Sequence, residues 1–315
     1  MARQVLRRLA IFAVTVIVAS VLIFAFMAVL PGDPARVALG VNATPEAIDQ
    51  LQARFGTDRP LVVQYADWVT GLPVGDFGES YVTRSAVGPR IVDRLLVTLW
   101  LVGASMVLAL VVAVPLGTIA AVRHRRASGA IIAGLSQVGV AVPGFLVGIL
   151  LVTVFAVRLG WVPSSGWTAP VDGFGEFLSK LVLPAVSLAV VQGAILTRYV
   201  RSAVLGVLRQ DYLRTARAKG LRPGQALVRH GLRNAAVPVL TVTGLQLATL
   251  LIGAVVIERV FVIPGLGSLL LDGVANRDLL LVQGVVMVLV VGVLVINLVV
   301  DLLYTVVDPR LRRPS

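Results

Sequence analysis

The sequence predicts an all-α, polytopic transmembrane helical bundle with six spans. The chain is 57% hydrophobic and only 14% charged, and its mean hydropathy is +0.93. Six apolar stretches approach or exceed the roughly 20 residues that a helix needs to cross a bilayer core. None alternates as a barrel strand does, and closed backbone hydrogen bonding favours helices. The predicted spans are about 9–30, 95–122, 130–157, 181–200, 238–257 and 279–307.

The first span follows Arg3, Arg7 and Arg8, so a cleaved signal peptide is the alternative to a membrane anchor. Its apolar run is longer than the roughly 7–15 residues of a signal-peptide core, and no clear cleavage site precedes Leu30. We therefore expect a retained signal anchor.

A polar segment, 31–94, separates the first two spans and predicts an outer cap. The chain is thus divided into residues 1–94, the first span with its cap, and 95–315, the core. Within the cap, Thr44 followed by Pro45 and an acid predicts the start of a helix. That helix presents one apolar face and ends at a glycine. Its residues are Ile48, Leu51, Phe55 and Gly56.

Helix breakers lie inside two predicted spans, at Pro115 and at Pro143 followed by Gly144. Such breakers are tolerated where neighbouring helices or a water-filled cavity satisfy the freed backbone groups. Simple kinking is the favoured interpretation, and a direct contact with a transported molecule is the alternative.

Basic residues lie mostly on one predicted side of the membrane. Most of the 28 Lys and Arg residues precede the first span or lie at 123–126, 198–233 and 310–313. Because cytoplasmic loops carry the basic excess, these segments and both termini are predicted to be cytoplasmic. The net charge of +12 then faces membrane lipids and the inner side, and needs no nucleic acid partner.

Catalytic and nucleotide-binding motifs are missing from the sequence. Neither lysine, Lys180 or Lys219, follows the glycine of a phosphate-binding loop. With no Cys and two His, the chain offers no thiolate metal site, and we expect neither a catalytic set nor a bound metal. Ion-coupled transporters usually bury charged groups near the middle of the membrane. The one carboxylate counted within a span, Asp301, lies near the predicted inner end of span six, which argues against ion-coupled transport.

The basic stretch 207–238 lies between the fourth and fifth spans and carries turn signals at set positions. Asp211 is a candidate N-cap and Gly220 a candidate C′ residue of a short helix. After a turn at Pro223, a second short helix is predicted, at right angles to the first. A loop that only binds anionic lipid needs charge but no such turns. Small residues along the first helix favour docking into a partner's groove.

Arg214-Thr215-Ala216-x-x-x-Gly220 resembles the EAA loop of ABC-importer permeases. Arg214 and Thr215 replace the Glu and Ala of that motif. Its closing Ile, Leu and Pro positions hold His230, Leu232 and Arg233. These departures resemble the dipeptide/oligopeptide/nickel branch. Further motifs over almost the whole chain resemble that branch's first permease subunit; they are Leu30-Pro31-Gly32-Asp33-Pro34, 75–80, 263–267, 301–304 and Asp308-Pro309-Arg310.

The resemblance implies a type I ABC-importer permease fold in the inner membrane of a bacterium. It implies a homologous second permease, two ATPase subunits and an extracytoplasmic substrate-binding protein as partners. ATP and Mg belong to the ATPases, so this chain is no enzyme and binds no cofactor. The short helices are implied to be coupling helices. The residues implied to couple are Asp211, Arg214, Thr215, Ala216, Lys219, Gly220, Gln225 and His230.

Three neutral polar residues in spans three to five are candidates for the translocation pathway: Gln137, Gln192 and Gln246. Each carboxamide can hydrogen-bond a peptide backbone, although hydrogen bonds between helices are an equal alternative.

For the cargo, the resemblance favours di- and oligopeptides, with nickel chelates or glutathione as same-fold alternatives. An autonomous secondary transporter is the alternative of a different class.

Overall fold

The computed structural model describes residues 2–29, 33–40 and 43–307. Every named element in these ranges is helical, which confirms the all-α prediction. The motif residues 30–32 and 308–310 lie outside the described residues. The helices are α1 Ala2–Val29, α2 Pro34–Leu39, α3 Pro45–Phe55, α4 Leu61–Gly71, α5 Val87–Val122, α6 Ala127–Ala141, α7 Gly144–Leu151, α8 Phe174–Leu208, α9 Asp211–Ala218, α10 Pro223–Ala226, α11 Leu232–Val260, α12 Leu266–Ala275 and α13 Leu279–Val307.

Five helices in the described ranges are long and apolar enough to cross a membrane, and a bent pair brings the number to six. The five are α1, α5, α8, the joined α10–α11 and α13. The pair is α6 with α7, which continues as a π-helical stretch over Val152–Arg158. The six predicted stretches therefore coincide with these helices, although several helices extend beyond the apolar run.

The third predicted span is broken rather than kinked. Its two halves meet at 97° on either side of Val142 and Pro143, which have ψ angles of 125° and 135°. Proline removes a backbone donor and disfavours helical geometry in the residue before it, which stops α6. Pro115, by contrast, lies inside the continuous helix α5 and does not break it. The simple kinking expected at Pro115 stays a prediction.

Residues 2–98 and 264–295 form one compact unit. Its α3 helix has the predicted ends: Thr44 Oγ1 accepts from the Ala47 N–H at 3.3 Å, and Gly56 has φ +68°. Ile48 and Leu51 are buried and pack with Ala35. The capping residues and the apolar face of this helix are thus confirmed.

Aromatic contacts join α1 to α4 in the same unit. The Ser20 and Tyr65 hydroxyls are 2.9 Å apart, and the Phe24 ring lies 5.4 Å from Tyr65 and 6.2 Å from Trp68. The end of the first long helix is therefore held against the cap segment by specific side chains.

A buried carboxylate ties the loop before α5 to the residue before α13. The Ser80 hydroxyl donates to Asp278 Oδ2, and the Tyr81 N–H donates to Asp278 Oδ1 at 3.2 Å. Asp278 is only 2% exposed. Burial raises the pKa of the Tyr81 phenol, and the negative charge of Asp278 raises it further. The same unit contains an apolar cluster; its buried members are Val87, Ile91, Leu266, Leu269, Leu281 and Val285.

The second compact unit holds Leu99–Ile263 and the part of α13 that begins at Ile296. Its helices approach closely at small residues, as is common in membrane bundles. A Cβ on Gly117 would lie 2.6 Å from Val200 Cβ.

The predicted boundary at residue 94, between the first span with its cap and the core, concerns membrane placement and stays a prediction.

The helix of the fifth predicted span extends beyond that span and includes a charged residue. The sequence placed its end at 257, whereas α11 continues to Val260. Glu258 is therefore inside the helix, and it is 0% exposed. Asp93 and Glu176 likewise lie inside α5 and α8, where these helices extend beyond the predicted spans. The inference that Asp301 is the one carboxylate within the spans concerns membrane placement and stays a prediction.

Candidate functional site

The basic stretch between α8 and α11 begins with the short helix α9. Gln210 is its N-cap and Asp211 its first residue, so the prediction of Asp211 as N-cap is wrong by one position. The reason is local: no side chain caps this end, and the Asp211 carboxylate instead lies 3.7 Å from Arg214. Asp211 still places a negative charge in the first turn, where the helix dipole favours it.

The other end of α9 closes at Gly220, as predicted for a C′ residue. Gly220 has φ +91°, and its N–H donates to the Arg217 carbonyl at 2.9 Å. The Leu221 N–H donates to the Ala216 carbonyl at 3.3 Å, which completes a Schellman motif. Glycine suits this position because an L side chain is strained at such a φ.

The predicted second short helix is not a separate helix. α10 begins at Pro223 and continues through a π-helical turn, Leu227–Gly231, into α11. The stretch therefore contains one free-standing short helix, followed by the first turns of a long one. The π turn absorbs an extra residue without interrupting the helix, which a turn signal in the sequence does not reveal.

One face of the stretch is anchored in an apolar cluster. Leu213 of α9 and Leu227 of the π turn are 1% and 4% exposed. They belong to a cluster with Val200, Val204 and Val207 of α8. The short helix is therefore packed against the long helix that precedes it.

Gly231 allows this close approach. A Cβ at Gly231 would lie 2.6 Å from Leu227 Cδ1, 3.2 Å from Val207 Cγ1 and 3.6 Å from Leu213 Cδ1. Sequence reasoning missed this residue, because a buried glycine within a basic stretch looks like a turn residue.

The opposite face is exposed and basic. All the predicted coupling residues are exposed except Ala216, which is half-buried. Further exposed basic side chains of the stretch are Arg217, Arg222, Arg229 and Arg233. The surface is thus an anchored, positively charged helix end.

Two of the predicted coupling residues also stabilise the stretch itself. Gln225 Oε1 accepts from the Arg222 N–H at 3.2 Å, and so caps the start of α10. Thr215 Oγ1 donates to the Asp211 carbonyl at 3.1 Å within α9. For these two residues a variant changes both the surface and the fold beneath it.

The three pathway glutamines lie on three different helices of the second unit. Gln137 is exposed on α6. Gln192 on α8 is 6% exposed, and Gln246 lies on α11. Within the described ranges, the Oε1 atoms of Gln192 and Gln246 are buried and have no hydrogen-bond partner. A role in the pathway stays a prediction.

Five or six membrane-length helices, with an anchored basic helix between the fourth and fifth spans, are the arrangement of an ABC-importer permease subunit. The chain belongs to the family described as "Binding-protein-dependent transport system inner membrane component", whose profile matches residues 113–313. The profile of that system's N-terminal membrane component matches residues 1–102. The chain is thus a multi-pass protein of a bacterial inner membrane.

Curated relatives match over nearly the whole chain. The glutathione transport system permease proteins GsiC of Salmonella typhimurium and of Escherichia coli strain K12 are each 39% identical over 312 residues. In both cases 99% of this chain and 99% of the relative are covered.

Solved importer structures share the fold. An inward-facing MetNI methionine ABC transporter aligns with a TM-score of 0.55 at 18% identity, and covers 70% of this chain and 96% of its own. An amino acid ABC transporter aligns with a TM-score of 0.50 at 16% identity, and covers 68% and 92%. These likenesses confirm the type I fold. With the family established, an autonomous secondary transporter is excluded.

Proposed function

We propose that this chain forms half of the translocation pathway of an ATP-driven importer of short peptides, with glutathione among its cargoes. The observation that supports the cargo is the 39% identity, end to end, to permeases named for glutathione transport. Glutathione is itself a tripeptide, so the two cargo hypotheses describe one chemical class. Nickel chelates are the competing cargo.

The neutral polar residues of the helices are compatible with a peptide cargo. Gln192 and Gln246 each hold a buried carboxamide oxygen without a partner in the described ranges. Such an oxygen accepts a hydrogen bond from a backbone N–H, whatever side chain the peptide carries. Neutral acceptors therefore favour a cargo recognised through its backbone.

The exposed end of α9 is the element that we propose docks into an ATPase subunit. Two ATPases bind ATP and Mg, and this chain pairs with a homologous second permease. Closure of the ATPases pulls on α9, and the apolar cluster that Leu213 shares with Val204 and Val207 carries that movement into α8. An extracytoplasmic binding protein supplies the peptide. In this chain energy is transmitted through packing, without bond-making.

Reconstitution tests the proposal. Liposomes containing this chain, its partner permease, both ATPases and the binding protein should take up labelled glutathione and a labelled dipeptide only with ATP inside. Omission of the ATPases should abolish uptake. Uptake of a nickel chelate with no uptake of either peptide contradicts the cargo. Uptake without ATPases contradicts the mechanism.

A further inference from the structure

A cavity of about 340 Å³ lies within the unit formed by 2–98 and 264–295. It is bounded by the C-terminal part of α1, the start of α2, the end of α3, four residues of α4, the loop before α5 and the start of α13. Its volume falls in the range of roughly 300–1,000 Å³ found for small-molecule sites. The proposed transport function assigns nothing to it.

Aromatic side chains form one wall of this cavity. Phe24 and Trp68 line it with their ring centroids 6.2 Å apart, and Phe55 and Tyr81 line it at 4.6 Å. Such walls are typical of ligand pockets, in which a few polar groups fix the orientation of the ligand.

Two residues on the lining each carry a buried donor without a hydrogen-bond partner in the described ranges. The indole Nε1 of Trp68 and the amide Nε2 of Gln283 have no hydrogen-bond partner in the described ranges. Their residues are 7% and 5% exposed. A buried donor without an acceptor costs free energy, so an acceptor brought by a ligand stabilises both groups.

Two further polar side chains on the lining, Gln64 and Arg59, are already engaged. Gln64 Nε2 donates to the carbonyls of Thr57 and Arg59 at 3.2 and 2.7 Å. Arg59 Nη1 donates to Asp67 Oδ2 at 2.7 Å. Among the lining residues, the buried donors without a partner in the described ranges are therefore those of Trp68 and Gln283.

The charges on the lining disfavour a simple anion. Two exposed carboxylates, Asp67 and Asp76, outnumber the single guanidinium of Arg59. Arg59 pairs with Asp67, whereas Asp76 Oδ1 accepts only an amide hydrogen bond, from the Gly78 N–H at 2.9 Å. The exposed part of the cavity thus attracts a cation, while its buried part presents donors.

Tyr81 adds a further donor that keeps its proton. Burial raises the pKa of its phenol, and the Asp278 carboxylate raises it further. Tyr81 therefore remains a neutral O–H group at physiological pH and does not add negative charge to the wall.

We propose that this cavity binds the end of a short zwitterionic peptide. A carboxylate or carbonyl oxygen of the peptide accepts from Trp68 Nε1 and Gln283 Nε2, and its ammonium group lies at Asp76. The inference deepens the proposed function, since it places a second peptide site on this chain, outside the helices that carry the pathway glutamines.

Direct binding measures this site without transport. The full importer in nanodiscs, without nucleotide or binding protein, is titrated with trialanine by calorimetry. We expect saturable binding that Gln283→Leu and Trp68→Phe each weaken by about five- to tenfold, the effect of one lost hydrogen bond. The matched controls are Gln50→Leu, at an exposed position of α3, and Trp161→Phe, because neither residue lines the cavity. Both variants should bind trialanine as the wild type does.

A second comparison tests the ammonium site. Asp76→Asn keeps an oxygen that can accept from Gly78 and removes the charge. It should weaken binding of trialanine but leave binding of N-acetyl-trialanine unchanged, because the acetylated peptide has no ammonium group.

No saturable binding, or equal binding by the wild type and the Gln283 and Trp68 variants, overturns the site. Equal losses for both peptides in Asp76→Asn overturn the orientation of the ligand. If binding follows the cavity variants while reconstituted importers take up no peptide, the site stands and the proposed cargo fails. If uptake requires ATP but the variants bind normally, the cargo stands and the site fails.

Discussion

Backbone conformation, not packing, fixes the identity of Gly220. Its φ of +91° lies where side chains are strained, yet nothing lies within 4 Å of a Cβ built on it. Bulk alone is therefore tolerated, and the cost of substitution comes from the dihedral angle. That cost is on the order of 1–2 kcal/mol for an ordinary L residue, and smaller for Asn.

We predict that Gly220→Val weakens association with the ATPase subunits by about tenfold, because the strain of about 1–2 kcal/mol opposes the docked end of α9. Gly220→Asn should weaken it less. The measurement is the amount of ATPase that co-purifies with each tagged variant, with the yield in the membrane fraction as a check on insertion. Equal co-purification by Val and wild type contradicts a docking role for this helix end.

Residue positions were predictable where the signal was local. Thr44 and Gly56 lie at the two ends of α3 as expected, because an N-cap and a C′ glycine act within one turn of the helix. The buried contact of Ser80 with Asp278 was not predictable, since the partners are 198 residues apart in the sequence. Gln283 and Trp68 likewise become candidate ligand donors only when folding places them around one cavity.

The lengths of the helices were predictable because bilayer thickness dictates them. Their interruptions were less so. Pro143 marked the place of a break but not its 97° angle, which depends on the packing of the two halves. The turn signal at Pro223 suggested a separate second helix, yet a π turn joins α10 to α11. The candidate coupling helix α9 was located correctly, because its polar character contrasts with the spans around it.

The close packing of α9 against α8 depends on Gly231, and we predict that Gly231→Val loosens this packing. The added atoms would overlap Leu227 and crowd Val207, so overpacking costs about 1–3 kcal/mol. Limited trypsin digestion of the membrane-inserted importer should cleave faster within 209–231. The matched control is Gly224→Ala, because nothing lies within 4 Å of its Cβ. Equal cleavage of Gly231→Val and wild type would show that the glycine has no role in the packing of α9.

At the scale of the whole molecule, the distribution of charge predicts orientation. Basic residues concentrate in the stretch around α9 and at both ends of the chain, so these parts are expected on the cytoplasmic side. Coupling to ATPases requires the same placement, since ATP is cytoplasmic. The cap segment and its cavity would then face the outside, where peptide arrives.

Cysteine labelling tests this orientation with little background, because the chain contains no Cys. Ser80 is unsuitable as a labelling site because it is only 1% exposed and donates a hydrogen bond to Asp278. Val74 is 81% exposed and is therefore a better site. We predict that an impermeant thiol reagent labels Val74→Cys in intact cells, and labels Arg229→Cys only after the membrane is opened. Both sites react in detergent, which serves as the control. Labelling of Arg229→Cys in intact cells would place α9 outside, where no ATPase can reach it, and would remove the coupling mechanism with the orientation.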